Sequence, residues 1–423
     1  MASFTALDVG ASSTRYVSEN GQIEVLPNNM VIVDQGARVD LETHSAKIED
    51  ALDLTITKDG VSDYFPVRVL IGDLAMRYAT SNLKPSVMQH KYKQQVNYIS
   101  IIAATAVNKL KYDLGADMNL YVALPPIEIR DTDAKDVMSS NLVGTYEVKF
   151  NKYQNAVVKL NIMNVKCYEE SFMSLMAYFF NMQGSIRDEA KSYCRGTVLS
   201  LDIGASTTDL AAAKDRHYLE RSGATYKTGI NIARDYLMKE VRAKYGYDIS
   251  EDEADRVMCE GRMEIGNKYV DATQIVESAK KHLAEQIVGQ MQNYFRGVDI
   301  QLQSIRAIIV SGGGSMQSSY VDDNGTKCVT ARPISEYITE ELHKICDTID
   351  VIAFASIENP RMANVTGLFI RANVDIYNEK KASGNVNKNA GTTNVNDIAK
   401  AQAKGVKVTG DKSPAVSTEN KES

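Results

Sequence analysis

Two short stretches of this chain read almost the same. Ala6-Leu7-Asp8-Val9-Gly10-Ala11-Ser12-Ser13-Thr14 returns as Ser200-Leu201-Asp202-Ile203-Gly204-Ala205-Ser206-Thr207-Thr208. Each is an apolar strand followed by aspartate, an aliphatic residue, glycine, alanine, serine, a second hydroxyl and threonine. One such stretch carries little weight, because strand–turn–strand hairpins often contain Asp and Gly. Two near-copies, a domain length apart in 423 residues, limit the chain to a duplicated architecture. They also agree with a length that exceeds one ordinary core.

The residue types in the repeat suit a polyphosphate. Glycine lets the backbone approach a ligand closely, and the N–H groups of such a turn form a small anion-binding concavity. Ser12, Ser13, Ser206 and Thr207 add neutral donors. Asp8 and Asp202 would repel phosphate if bare, so they require a cation between. Mg²⁺ takes oxygen ligands and keeps several waters, through which carboxylates can hold it. A pair of structural hairpins capped by Asx-turns is the alternative. A third element is Ser311-Gly312-Gly313-Gly314-Ser315, which ends the apolar run Ile305–Val310 and can pass close under a flat base or ribose. The chain has no G-x-x-x-x-G-K-[ST] loop and no H-R-D or D-F-G set, so it is neither a P-loop protein nor a protein kinase.

The rest of the sequence sets limits. Net charge is −6, which opposes a chain-wide grip on nucleic acid. No run approaches the roughly 18 apolar residues of a membrane span, and the N-terminus lacks a signal-peptide pattern. The five cysteines, Cys167, Cys194, Cys259, Cys328 and Cys346, are scattered and read as free thiols in a reducing cytoplasm. The five histidines lack metal-ligand spacing. From Glu379 to Ser423 there is no aromatic residue, and eight lysines face five acids. Such a segment cannot bury enough apolar surface to offset its ordering entropy and reads as a disordered tail.

Periodicity places the elements. Strands are expected at Phe4–Val9, Thr14–Ser18 and Ile23–Leu26, with Asn20-Gly21 as a hairpin turn. Others are expected at Leu120–Leu124, Thr145–Phe150, Ala156–Lys166, Thr197–Leu201, Thr208–Ala213 and Ile305–Val310. The second turn is expected over Asp202–Thr207. Helices are expected at Ser171–Met182, Ile230–Tyr245, Glu251–Met258 and Gln274–Phe295.

Paired D-x-G hairpins followed by a strand ending in G-G-G resemble the actin/Hsp70/sugar-kinase superfamily, over nearly all of residues 1–378. Finer features resemble the bacterial plasmid-segregation actins, the ParM group. Asp8-Val9-Gly10 with Arg15 is similar to that group's first phosphate loop, where lysine usually occupies the Arg15 position. Leu201-Asp202-Ile203-Gly204 with Thr207-Thr208-Asp209-Leu210 is similar to its D-L-G-G-T-T-x-D-I, with Ala205 in place of the second glycine. Glu170-Ser171 resembles its P-E-S, with Glu169 in place of proline. Ser222-Gly223 through Thr228-Gly229 resembles the loop before its nucleotide-contacting helix. Val365-Thr366-Gly367-Leu368-Phe369 resembles its closing helix.

The resemblance implies an α/β, actin/Hsp70-like two-domain ATPase fold with duplicated β-hairpin phosphate loops, plus the tail. The expected division is 1–38 with 95–192 and 366–378 as the first domain, with 39–94 as its small inserted subdomain. Residues 193–365 form the second domain, with a helical subdomain near 230–295, and 379–423 the tail. Implied phosphate-binding residues are Gly10, Ala11, Ser12, Ser13, Arg15, Gly204, Ala205, Ser206 and Thr207. Gly229, Gly312, Gly313, Gly314 and Ser315 would take the adenosine. Asp8 and Asp202 would hold Mg²⁺ through water, and Glu170 with Asp202 would be catalytic. From the residues alone, Glu170 can equally complement a helix N-terminus, and Glu169 can exchange roles with it. ATP is the implied substrate, with GTP as the alternative.

A shared fold does not fix function. The first expectation is a cytoplasmic ATPase that polymerises into dynamic filaments and segregates plasmid DNA. Its partners would be further copies of itself and a DNA-binding adaptor of the ParR kind, with no direct nucleic-acid or membrane contact. A small-molecule kinase of the same superfamily is the second, although no sugar- or acid-binding pattern stands out. An Hsp70-type chaperone would need a peptide-binding domain that the polar tail cannot supply.

Overall fold

Both aspartate hairpins form as their alternation dictates. The computed structural model describes residues 2–39, 47–50, 52–79, 90–130, 133–298, 300–315, 320–321, 327–328 and 332–382. In it, β1 (Ser3–Val9) pairs antiparallel with β2 (Ser13–Ser18), Asp8 opposite Arg15 and Val9 opposite Thr14. The later copy pairs β10 (Thr197–Ile203) with β11 (Thr208–Lys214), Asp202 opposite Asp209 and Ile203 opposite Thr208. The first strand of that copy thus runs two residues past the expected boundary. Asp202 is held on both sides, by Asp209 and, in parallel pairing, by Ser311.

The first sheet also takes in β3 (Ile23–Pro27), β4 (Met30–Val33), β5 (Asp53–Lys58), β6 (Val67–Ile71), β7 (Asp117–Leu124), β8 (Gly144–Phe150) and β9 (Val157–Glu169), in the order β3-β2-β1-β7-β9-β8-β5-β6-β4. Gly21, at φ 73°, makes the turn into β3 and donates to the Ser18 carbonyl. Strand β9 outruns its expected range because it serves two partners. Val157–Ile162 pairs with β8 and Asn161–Glu169 with β7. One long strand therefore joins the part of the sheet that carries the hairpin to the smaller part built from β8, β5, β6 and β4.

The second sheet adds β12 (His217–Tyr218) and β13 (Ala224–Tyr226) beside β11. Along the chain, the ribbon β14 (Arg262–Ile265) with β15 (Lys268–Asp271) comes before β16 (Ile305–Ser311). The ribbon β17 (Tyr320–Val321) with β18 (Lys327–Cys328) comes after it, followed by β19 (Asp350–Ala353). The order of the second sheet is β12-β11-β10-β16-β19. In each sheet the hairpin strand has an antiparallel partner on one side and two successive parallel strands on the other. The repeat seen in nine residues is a repeat of sheet topology.

Period-two alternation explains how the sheets pack. Leu7 and Val9 point into the core of the first unit. Leu199, Leu201 and Ile203, with Ile308 and Val310, point into that of the second, against helices Ile230–Tyr245, Glu251–Glu260 and Thr273–Gly297. The opposite faces carry small residues, Ala6 and Ala123 on the first sheet and Ala213 and Ala307 on the second. They close on a shared central core around helices Glu170–Phe179 and Ala363–Ala382. These helices touch where Gly367 meets Met173. A Cβ on Gly367 would lie 1.8 Å from the Met173 carbonyl oxygen, so only glycine permits the crossing.

Several helix ends differ from expectation, and helix Glu251–Glu260 runs two residues past Met258. Helix Glu170–Phe179 stops early because Phe180 is extended and bridges to Ile186. Helix Thr273–Gly297 is longer than its apolar stripe. The last helix continues through residues 379–382, which composition assigned to the tail. Lys166 pairs with Glu379 at 2.7 Å, and Lys380 and Lys381 suit a helix C-terminus. The remainder of the expected tail, 383–423, lies outside the described residues. Cys167, Cys194 and Cys346 are free thiols. Among the described residues, no helix is long and apolar enough to cross a membrane.

Candidate active site

The two turns have the same internal geometry. Gly10 N–H donates to the Ser13 carbonyl at 3.0 Å, and Gly204 N–H to the Thr207 carbonyl at 2.8 Å. Burial runs in step through both, with Ser12 and Ser206 the exposed tips. What supports the turns differs. The first leans on a side chain: Asn28 donates through Nδ2 to the Gly10 carbonyl at 2.6 Å and accepts from Thr14 Oγ1 at 2.7 Å. The second leans on a helix start. Ile230 and Asn231 N–H groups donate to the Gly204 and Ala205 carbonyls at 3.0 and 2.9 Å, which satisfies donors that a helix N-terminus leaves open. Gly229 precedes that helix, and a Cβ there would lie 2.4 Å from the Ala205 oxygen.

Charge separates the hairpins further. Arg15 Nη1 lies 3.2 Å from Asp8 Oδ2. At the equivalent cross-strand position of the second hairpin stands another acid, Asp209. Asp202 and Asp209 are both buried. Burial pushes Asp202 up to about 6, while the amide of Asn364, donating to Asp202 Oδ2 at 2.8 Å, opposes the rise. Burial, with the neighbouring charge of Asp202, pushes Asp209 up to about 7.

Glu170, the first residue of helix Glu170–Phe179, makes a buried ion pair with Lys91, Nζ to Oε1 at 2.5 Å. Burial works against the charge of Lys91, but Glu170 and Asp8 more than offset it and hold the lysine protonated. Burial pushes Glu170 up to about 8, with Lys91 opposing and Asp8 and Asp209 adding to the rise. Lys91 is anchored at its backbone. Its N–H donates to Glu128 Oε1 at 2.9 Å, and its carbonyl accepts from Asn97 Nδ2 at 2.9 Å. The adjacent Glu169 faces elsewhere. It accepts from the Tyr218 hydroxyl at 2.5 Å and from Ser171 at 3.2 Å, with Gly223 packed against its carboxylate.

The glycine loop after β16 closes on the second hairpin. A Cβ on Gly312, at φ 86°, would lie 2.1 Å from Asp202 Oδ1, and one on Gly314 would lie 2.6 Å from the Ile203 side chain. Both glycines thus have a reason within the protein itself. Gly313 faces Arg361, and Ser315 Oγ donates to the Gly312 carbonyl. A separate recess lined by Tyr247, Asp252, Glu253, Arg256, Glu264 and Gly266 contains no residue of either hairpin.

This arrangement has relatives. Residues 6–172 match the family of actin-like proteins, N-terminal domain, and residues 200–319 match the C-terminal domain of the archaeal MreB-like actin homologues. The chain belongs to the actin-like superfamily. Among solved structures, the actin-like protein Alp7A is 17% identical, covers 91% of this chain and 99% of its own, and superposes with a TM-score of 0.66. ParM of Bacillus thuringiensis with ATP is 15% identical over 89% and 99%, at 0.60. A 15-stranded ParM filament from Clostridium botulinum is 16% identical over 87% and 98%, at 0.58. No curated protein matches the chain in sequence.

In this actin-like chain the two repeats bring Asp8, Asp202 and Asp209 into electrostatic reach of Lys91, and Asp8 and Asp209 into that of Glu170, with Arg15 in reach of Asp202. Three of the residues gathered there are absent from the expected site. Lys91 lies far along the chain from Glu170, in a stretch without a motif, and nothing local marks it. Asp209 is findable, since counting back across the turn from Asp202 places it directly opposite. Asn364 belongs to the closing helix and becomes visible only through the fold.

The site suits a magnesium ion. Carboxylate oxygens are its ordinary ligands. Ser311 Oγ and Asn364 Oδ1, both buried beside Asp202, have no hydrogen-bond partner among the described residues. No three acidic, histidine or cysteine side chains among the described residues converge to cage an ion by themselves. Water and phosphate oxygens would complete its shell.

Proposed function

We propose that this chain binds a magnesium–nucleoside triphosphate between its two hairpins, hydrolyses it, and polymerises into filaments controlled by that hydrolysis. The observation that carries the reading is the duplicated hairpin pair with the buried Lys91–Glu170 ion pair in electrostatic reach of its aspartates. In this reading the units are residues 1–38 with 95–192 and 366–378, carrying the insert 39–94, and residues 193–365. Backbone N–H groups and hydroxyls of Gly10–Ser13 and Gly204–Thr207, with Arg15, bind the phosphates. Gly229 and Gly312–Ser315 border the adenosine. Asp8 and Asp202 would hold Mg²⁺ through water, and bound there it would neutralise charge on the phosphate oxygens.

Phosphoryl transfer to water needs positioning and charge neutralisation more than covalent help. Glu170, held as a carboxylate by Lys91, orients the attacking water and takes its proton as the water oxygen bonds to the γ-phosphorus. The bond from that phosphorus to the bridging oxygen breaks and the diphosphate leaves. Lys91 holds the Glu170 carboxylate and faces the developing charge. The orientation of Glu169 toward Tyr218 favours Glu170 for this role.

Membership of the superfamily supports nucleotide hydrolysis and self-assembly, as do one ParM relative solved with ATP and another solved as a filament. Copies joined head to tail form an open helix, and hydrolysis removes the preference for the assembled state. Plasmid segregation through a DNA-binding adaptor of the ParR kind, in the cytoplasm, is the finest level of the proposal. Light scattering, electron microscopy and phosphate release with Mg-ATP and Mg-GTP test it. Polymer should form with triphosphate and decay as phosphate appears. Glu170→Gln should keep the polymer and slow phosphate release about a hundredfold or more. Phosphate transferred to a small molecule, without polymer, would replace this reading with a kinase.

A further inference from the structure

Asn364 sits where the chain passes from the second unit back to the first. Just before it, the Pro360 carbonyl accepts from Gly312 N–H at 3.2 Å, so residues 360–364 are tied to the end of β16 and to Asp202. Beyond it, helix Ala363–Ala382 belongs to the first unit. Phe369 packs on Phe4 with ring centroids 6.0 Å apart, and Asp375 accepts from the Tyr168 hydroxyl and pairs with Lys166. Between these anchorages lies one buried side-chain bond, Asn364 Nδ2 to Asp202 Oδ2 at 2.8 Å. Gly312, with no room for a Cβ, closes off the Oδ1 side of the same carboxylate.

We infer that Asn364 is a positioning residue that orients the Asp202 carboxylate toward the metal and passes metal occupancy to the first turn of the closing helix. The physical basis is the geometry around Asp202. With one oxygen fixed by the amide and the other hemmed in by Gly312, the carboxylate has a single orientation. A metal held through water must then act on an oxygen already bonded to the helix start, so its arrival is felt at residues 363–367, where Gly367 crosses Met173. The inference rests on the nucleotide-binding reading above.

The test compares nucleotide affinity with magnesium and with EDTA, by calorimetry on the full chain. Asn364→Leu keeps the branched shape without the donor, and Asn364→Ala removes the amide without adding bulk. Each should weaken magnesium-dependent binding about tenfold, the scale of one lost hydrogen bond to a charged group, and change binding in EDTA less than about twofold. In an Asp202→Asn background the same substitutions should add nothing to the magnesium dependence, a non-additivity that mere packing damage would not produce. Hydrogen exchange at residues 363–367 should slow on Mg-nucleotide binding in the wild type and not in the variants. Wild-type metal dependence with unaltered variants, or full additivity, overturns this inference alone. Wild-type protein that binds nucleotide equally with and without metal overturns the functional reading and this inference together.

Discussion

The first and second hairpins share a backbone and differ in charge. Each turn is closed by the same glycine hydrogen bond and tipped by an exposed serine. The first sets Asp8 against Arg15, and the second sets Asp202 against Asp209. A duplicated framework thus presents one charge-balanced wall and one acidic wall. The acidic wall calls for a cation, and Asn364 alone does not neutralise it. Duplication explains the shape of the site, and divergence at a single cross-strand position explains why its two halves differ in charge.

The largest effect should come from the acidic wall. Asp202→Ala should weaken magnesium-dependent nucleotide binding by up to about a hundredfold, the upper range for loss of a charge-assisted contact. Calorimetry with and without the metal measures it, and an unchanged metal dependence would break the contrast between the hairpins.

Next comes pH. Asp202 and Asp209 have folded-state values of about 6 and about 7, raised above the value near 3.9 of an exposed aspartate. Near pH 4 and below the folded state keeps its extra protons without penalty. From pH 4 up to 6 and 7 the unfolded chain sheds protons that the buried carboxyls keep, so metal-free protein should lose stability on the order of a few kcal/mol over that window and level off once they too ionise. Thermal melts from pH 4 to 8 should show the decline. Asp209→Asn should remove part of it, and Mg-nucleotide should flatten the rest.

On the balanced wall, Arg15→Ala should weaken nucleotide binding about tenfold and reduce its salt dependence, with Arg15→Lys keeping most of the affinity. The smallest effect concerns the supports. Asn28→Ala should cost about 1–2 kcal/mol in denaturant unfolding, since two hydrogen bonds, one of them fully buried, end on that side chain. The second hairpin rests on main-chain donors, so Ser206→Ala at its tip should leave unfolding unchanged.

Local patterns in the sequence carry much of the fold. The repeat, the alternation in β1 and β10, and the Asn20-Gly21 pair turning into β3 are short-range signals, and helix Ile230–Tyr245 falls within its expected bounds. What escapes is long-range. Strand β9 runs past its expected end because a second partner, β7, extends it, and no periodicity in β9 itself reveals that partner. Lys91 comes to Glu170 only once Glu128 and Asn97 have fixed its backbone. The glycine triplet is legible as a close approach, yet Gly312 and Gly314 approach Asp202 and Ile203, a constraint set by tertiary packing. The Glu169/Glu170 ambiguity is a question of direction, and direction is set by Tyr218 and Lys91.

The crossing at Gly367 has a consequence for how the chain is made. The central core pairs Phe4 and Ala6, from the first strand, with Val365, Leu368 and Phe369 of the final helix. During synthesis the first sheet emerges early and can bury the face that carries Leu7 and Val9. Its other face must wait, with Phe4 uncovered, until the last helix leaves the ribosome. A nascent chain of this protein therefore spends most of its translation with a greasy surface awaiting its cover, and its dependence on chaperones should peak before residue 363 is added and fall once the closing helix docks.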